Sequence, residues 1–101
     1  MKVLAIEKEI EGITWSTEND MLENEALQVY QLYLSGYLRE IYFNEQHCAV
    51  LILECESIDK ANELLSSLPL VIKNMIKFEL MQLNPYTGYE RILVKKHPVN
   101  E

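Results

Sequence analysis

The chain has 101 residues, a hydrophobic fraction of 49% and a net charge of −7. That length allows one domain with a modest core. The composition excludes a disordered chain, and the acidic balance, with no Lys/Arg stripe, excludes nucleic acid as the expected partner.

The charge is uneven. Residues 1–63 hold 13 acids and 4 bases, a balance of −9, and residues 64–101 hold 3 acids and 5 bases, a balance of +2. The basic run Lys95-Lys96-His97 is short and reads as a solvated tail. No apolar run approaches the roughly 20 residues needed to cross a bilayer. The opening residues, with Lys2, Glu7, Lys8 and Glu9 around a short apolar stretch, do not form a signal peptide. A cytoplasmic protein with no membrane partner is the expectation.

Taken in chain order, Lys2 to Glu9 reads as a first strand. Its unbroken run Val3-Leu4-Ala5-Ile6 marks a strand buried on both faces. Gly12 breaks that pattern, and Ser16 or Thr17 caps a helix with Glu18 and Asp20 in its first turn. Leu22, Ala26, Val29 and Tyr33 then recur at helical spacing, widened by Leu27, Tyr30 and Leu34, and Gly36 suits the C-terminal cap.

Leu38 to Phe43 is a second strand, alternating Leu38, Glu40 and Tyr42 against Arg39, Ile41 and Phe43. After the polar turn Asn44-Glu45-Gln46, Cys48 to Glu54 gives a third strand, again apolar throughout. Ser57 caps a second helix with Ala61, Leu64, Leu65 and Leu68 inward, stopped by Pro69. Ile76 to Leu83 is a fourth strand, and residues 86–101 follow the domain 1–85 as a polar C-terminal tail with a Tyr-rich start.

The order β-α-β-β-α-β, with two doubly apolar strands and two mixed ones, predicts an α+β, ferredoxin-like domain. Its four-stranded antiparallel sheet runs in the order 4-1-3-2, with both helices on one face. The other face of the central strands stays apolar, which predicts a homodimer packed sheet on sheet.

No phosphate-binding loop, HExxH or nucleophile elbow occurs, and three glycines cannot build a glycine cradle. No cofactor is expected. Cys48 and Cys55 sit at opposite ends and faces of one strand, about seven residues at ~3.3 Å each, far beyond disulfide or shared-metal reach. His47 and His97 complete no metal set.

Three ionisable residues carry candidate chemistry. Glu25 and His47 are candidates for proton transfer. Arg39 is a candidate clamp for a substrate carboxylate. The structural alternatives place Glu25 at the polar edge of its helix, pair Arg39 with Glu54, and leave His47 as a surface turn residue. Trp15, Tyr33 and Tyr42 are candidate pocket-lining aromatics, or else core and dimer interface.

The stretch Gly36-Tyr37-Leu38-Arg39-Glu40-Ile41, then His47, Glu54-Cys55-Glu56-Ser57, Leu64-Leu65-Ser66-Ser67-Leu68-Pro69-Leu70 and Phe78-Glu79-Leu80-Met81-Gln82-Leu83-Asn84-Pro85 resembles the muconolactone isomerase family of the dimeric α+β barrel superfamily. The resemblance spans roughly residues 20–86. It implies subunits paired sheet to sheet into a barrel, in dimers or higher homo-oligomers, and a small-molecule ligand pocket. It puts Glu25, Arg39 and His47 on family positions, whereas Asn84 stands where the family commonly carries histidine. The implied activity is proton-transfer isomerisation of an unsaturated lactone or related small carboxylate. The alternatives are a non-catalytic ligand-binding or assembly module, and a cofactor-free monooxygenase of the same superfamily.

Overall fold

The run of β-branched and aliphatic residues in Lys2–Glu9 forms β1, an inner strand of the sheet in the computed structural model, which describes residues 1–12 and 19–96. Asn19–Leu34 forms α1, Leu38–Phe43 β2, Ala49–Glu54 β3, Ile58–Ser66 α2, Pro69–Ile72 α3, Ile76–Leu83 β4 and Glu90–Lys96 α4. The four strands form one antiparallel sheet in the order β2-β3-β1-β4. This is the ferredoxin-like order expected from the two doubly apolar strands, which take the two inner places. The capping residues expected for the first helix, Ser16 and Thr17, lie outside the described residues, as do Trp15 and His97.

The register explains which face is which. Val3 pairs with Leu53 and Ala5 with Leu51, and all four point toward the helices, where they are buried with Leu38, Ala61, Leu65 and Leu68. Fully burying one such leucine contributes about 1.5–3 kcal/mol. A smaller cluster of Leu70, Met75 and Ile76 closes the end of the sheet beside α3. Ser57 caps α2, its side chain accepting from Lys60 N–H at 3.0 Å, and Pro69 opens α3 at a position where a missing N–H costs nothing.

The second strand departs from the strict alternation expected of it. The pairing shifts by one residue between Leu38 and Glu40, so Leu38 faces Leu53 while Ile41 faces Leu51. The extra residue is Arg39, and its Nε donates to the Gly36 carbonyl at 2.8 Å. This bulge places Leu38, Ile41 and Phe43 on the helix side together, and leaves Glu40 and Tyr42 on the opposite face. There Leu4, Ile6, Val50 and Ile52 stay half-buried and Tyr42 and Met81 are exposed, so one face of the sheet is apolar and unpartnered.

The first helix keeps Leu22, Ala26 and Val29 of its expected stripe on the side of the sheet, together with Glu25, while Tyr33 and the widening residues Leu27, Tyr30 and Leu34 are exposed. Gly36 ends the helix with φ 90°, a left-handed conformation open to glycine. The segment after Leu83, expected as a tail without structure of its own, includes α4. Its apolar side chains Tyr86, Tyr89, Ile92 and Leu93 are exposed. The chain measures 67 × 28 × 21 Å with a radius of gyration of 18.3 Å, against about 13 Å for a compact domain of 100 residues.

Candidate functional site

Between α1 and the helix-facing side of the sheet lies a cavity of about 300 Å³. Val29, Ile41, Phe43, Leu51, Leu68 and Phe78 supply much of its wall, and the bulge in β2 is what turns Ile41 and Phe43 into it. Two acidic side chains break this apolar lining, Glu7 from β1 and Glu25 from α1.

Each carboxylate is fixed by a main-chain donor. Leu70 N–H, in the first turn of α3, donates to Glu25 Oε1 at 2.9 Å, which ties α1 to α3. Ala49 N–H donates to Glu7 Oε1 at 2.8 Å. The backbone explains this second contact. The β1–β3 pairing ends at Ile6–Val50, so the next N–H of β3 has no partner carbonyl, and the Glu7 side chain takes it. Burial pushes the Glu25 carboxyl above the usual carboxylate range. The Leu70 hydrogen bond pulls against that shift, and the charge of Glu7 adds to it.

An outer lobe of about 270 Å³ shares Glu7, Leu22, Phe43 and Leu70 with the cavity and adds Glu9 and His47. His47 closes the β2–β3 hairpin. Its N–H donates to the Asn44 carbonyl at 2.9 Å, and the Asn44 side chain accepts from Gln46 and Cys48 N–H. Its backbone is left-handed at φ 61°, an uncommon state for a residue other than glycine. The imidazole stacks on Phe43, with ring centroids 4.1 Å apart and planes 15° apart. The aromatic wall of the cavity therefore carries the imidazole to its mouth.

The structure thus places Glu25 and His47 on two neighbouring spaces that share Glu7, Leu22, Phe43 and Leu70, and leaves Arg39 out of both. The Arg39 guanidinium sits at the bulge, and Glu54, its expected partner, instead accepts from the N-terminal ammonium at 2.7 Å. That contact is the main reason the Glu54 carboxyl lies below its ordinary range, with Arg39 a lesser, through-space contribution. Tyr33 and Tyr42 do not line the cavity. Tyr33 stacks on Tyr30 along the exposed side of α1, and Tyr42 lies on the opposite face of the sheet, donating to Glu40 Oε1 at 2.8 Å. Trp15 lies outside the described residues.

Glu7 was not among the residues singled out from the sequence. Its signal was present in the parity of β1: Val3, Ala5 and Glu7 share one face, and that face is the buried one. Among the described residues no group of three or more His, Cys, Asp or Glu side chains is placed to hold a metal ion. Cys55 is buried and Cys48 half-buried at opposite ends of β3, and both are free thiols. Among the described residues no helix is long and apolar enough to cross a membrane.

The fold and the site are those of a ferredoxin-like α+β domain with a cavity between helix and sheet. Among solved structures the chain is similar to 5-chloro-2-hydroxyhydroquinone dehydrochlorinase (TftG) from Burkholderia phenoliruptrix AC1100, in its complex with 2,5-dihydroxybenzoquinone. The TM-score is 0.60 and the identity 15%, over 87% of this chain and 98% of that one. At that identity the likeness establishes the shared fold. No family model matches the chain, and no curated protein matches it.

Proposed function

We propose that the chain is a small-molecule enzyme that moves a proton within a cyclic substrate held in this cavity, as the resemblance to the muconolactone isomerase family implies. The observation that carries this reading is the Glu7–Glu25 pair, two carboxyl groups turned into one otherwise apolar space. A carboxyl whose pKa is raised by burial is a better base when ionised and stays an acid closer to neutrality. Glu25 takes the acidic ring proton, at the carbon next to the carbonyl in a β,γ-unsaturated lactone such as α-angelica lactone and at the γ carbon in an α,β-unsaturated one such as muconolactone, and the carboxyl so formed returns a proton at the other end of the shifted double bond. His47 at the mouth is the candidate for exchanging that proton with water. Arg39, whose Nε donates to the Gly36 carbonyl, does not line the cavity, and the step as drawn does not use it.

The similarity in fold to a protein that binds a hydroxylated ring is in keeping with a cavity of this size. The test is exchange of ring protons for deuterium, followed by NMR, in the neutral α-angelica lactone, with muconolactone, which carries a carboxylate, as the anionic comparison. Exchange that depends on protein and drops by at least about a hundredfold in Glu25→Gln is expected. No exchange with either lactone would leave the second reading, a non-catalytic ligand-binding module, which the position of Arg39 outside the cavity favours.

The same proposal includes a cytoplasmic homodimer, with the sheet faces of residues 1–85 packed together and residues 86–101 as an extension. The motive is the open face of Leu4, Ile6, Val50 and Ile52. Light scattering is expected to give twice the chain mass for the wild type and the chain mass for Ile52→Lys. A wild-type monomer at micromolar concentration would remove the dimer.

A further inference from the structure

The polarity of the cavity is one-sided. Every polar side chain that lines it among the described residues is a carboxyl, Glu7 or Glu25, and the outer lobe adds a third, Glu9, beside the imidazole of His47. No lysine or arginine lines either space. Each of the two inner carboxyls spends one hydrogen bond on a main-chain N–H and keeps its remaining lone pairs for a guest. The surrounding wall is apolar and offers no countercharge, so a negative guest would meet like charge.

We propose that this site takes a flat ring compound that is neutral or cationic and bears hydrogen-bond donors, and that Glu7 is the residue that excludes carboxylates. This rests on the cavity being the functional site, and it narrows the substrate class to lactones and hydroxylated or amino-bearing rings without an acid group. Glu7 is suited to the role by where it sits. It fills the gap left where the β1–β3 pairing stops, so its position is set by the sheet and not by a mobile loop. Glutamine at this position keeps an oxygen for the Ala49 N–H and removes only the charge.

The probes are three rings of one shape: 3-hydroxybenzamide, 3-hydroxybenzylamine and 3-hydroxybenzoate, titrated at pH 7 against the full chain and followed by amide NMR shifts. The wild type is expected to bind the amide and the amine at least about tenfold more tightly than the benzoate, with shifts at Ala49, Phe43 and Leu70. In Glu7→Gln the gap between amide and benzoate is expected to fall below about threefold. Equal binding of amide and benzoate by the wild type overturns the selectivity and leaves the site standing. An unchanged gap in a folded Glu7→Gln overturns the role of Glu7. If no probe shifts the cavity residues, the site itself is refuted along with the inference. The wild-type series of anion, neutral ring and cation needs no variant, so the selectivity can be refuted even if Glu7→Gln does not fold.

Discussion

Filling the cavity separates its role in stability from its role in binding, and Ala49→Leu does this with one substitution. Ala49 opens β3, pairs with Phe43 and lines the cavity. The N–H that Glu7 accepts from belongs to the main chain, so that contact survives the change. Leucine adds three carbons, worth about 0.8 kcal/mol each if fully buried. The cavity is open to solvent, with Phe43, Ile41 and Leu22 of its wall exposed, so roughly half of that gain applies, about 1 kcal/mol. Overpacking a filled site costs about 1–3 kcal/mol, but a space of about 300 Å³ leaves room for the added carbons. For a domain of this size about 1 kcal/mol moves Tm by roughly 4–8 °C. Differential scanning fluorimetry should therefore show a rise, while 3-hydroxybenzamide no longer shifts the cavity residues. A Tm that falls by several degrees refutes the open cavity, because it means the space is already filled in solution. A raised Tm with unchanged ring binding refutes the cavity as the binding site.

Two further outcomes follow from the packing and the charges. Leu53 is fully buried between Val3 and Leu38, so Leu53→Ala is expected to cost about 2–5 kcal/mol in urea unfolding. A cost below about 1 kcal/mol would mean that this pairing is not the centre of the core. The Glu25 carboxyl is raised above its ordinary value of 4.5. Its contribution to stability is then fully present below the unfolded-state pKa and is lost as pH rises through the folded-state one. The Tm of Glu25→Gln, which keeps an acceptor for Leu70 N–H, should gain on the wild type as pH rises from 4 to 8. A constant difference across that range contradicts the raised pKa. Glu54 shifts the other way and is common to both proteins, so it cancels from the comparison.

The architecture was legible because hydrophobic periodicity reports on faces. Strands apolar on both sides must be covered on both sides, which put Lys2–Glu9 and the strand after Cys48 in the middle of the sheet and predicted one open apolar face. Glu25 and His47 were legible as isolated ionisable groups in otherwise apolar or turn contexts. Periodicity gives parity along a strand, however, and not the register between strands. One extra residue at Arg39 reverses the parity of Leu38 relative to Ile41 and Phe43. That bulge is a property of how Leu38–Phe43 lies on Ala49–Glu54, and no local pattern announces it.

The sequence by itself determined the strand order, the two-helix layer, the acidic surface and the unpartnered sheet face, because each follows from composition and spacing within single elements. Only the tertiary structure decided which polar groups share a space. Glu7 and Glu25 come from a strand and a helix separated in sequence, and their meeting depends on where the β1–β3 pairing ends and how α1 lies on the sheet. The same packing sends Tyr33 and Tyr42 to surfaces outside the cavity and leaves Arg39 at the bulge. A carboxylate pair in an apolar cavity is a long-range arrangement, so its chemistry was set by register and helix placement, which a single chain pattern does not contain.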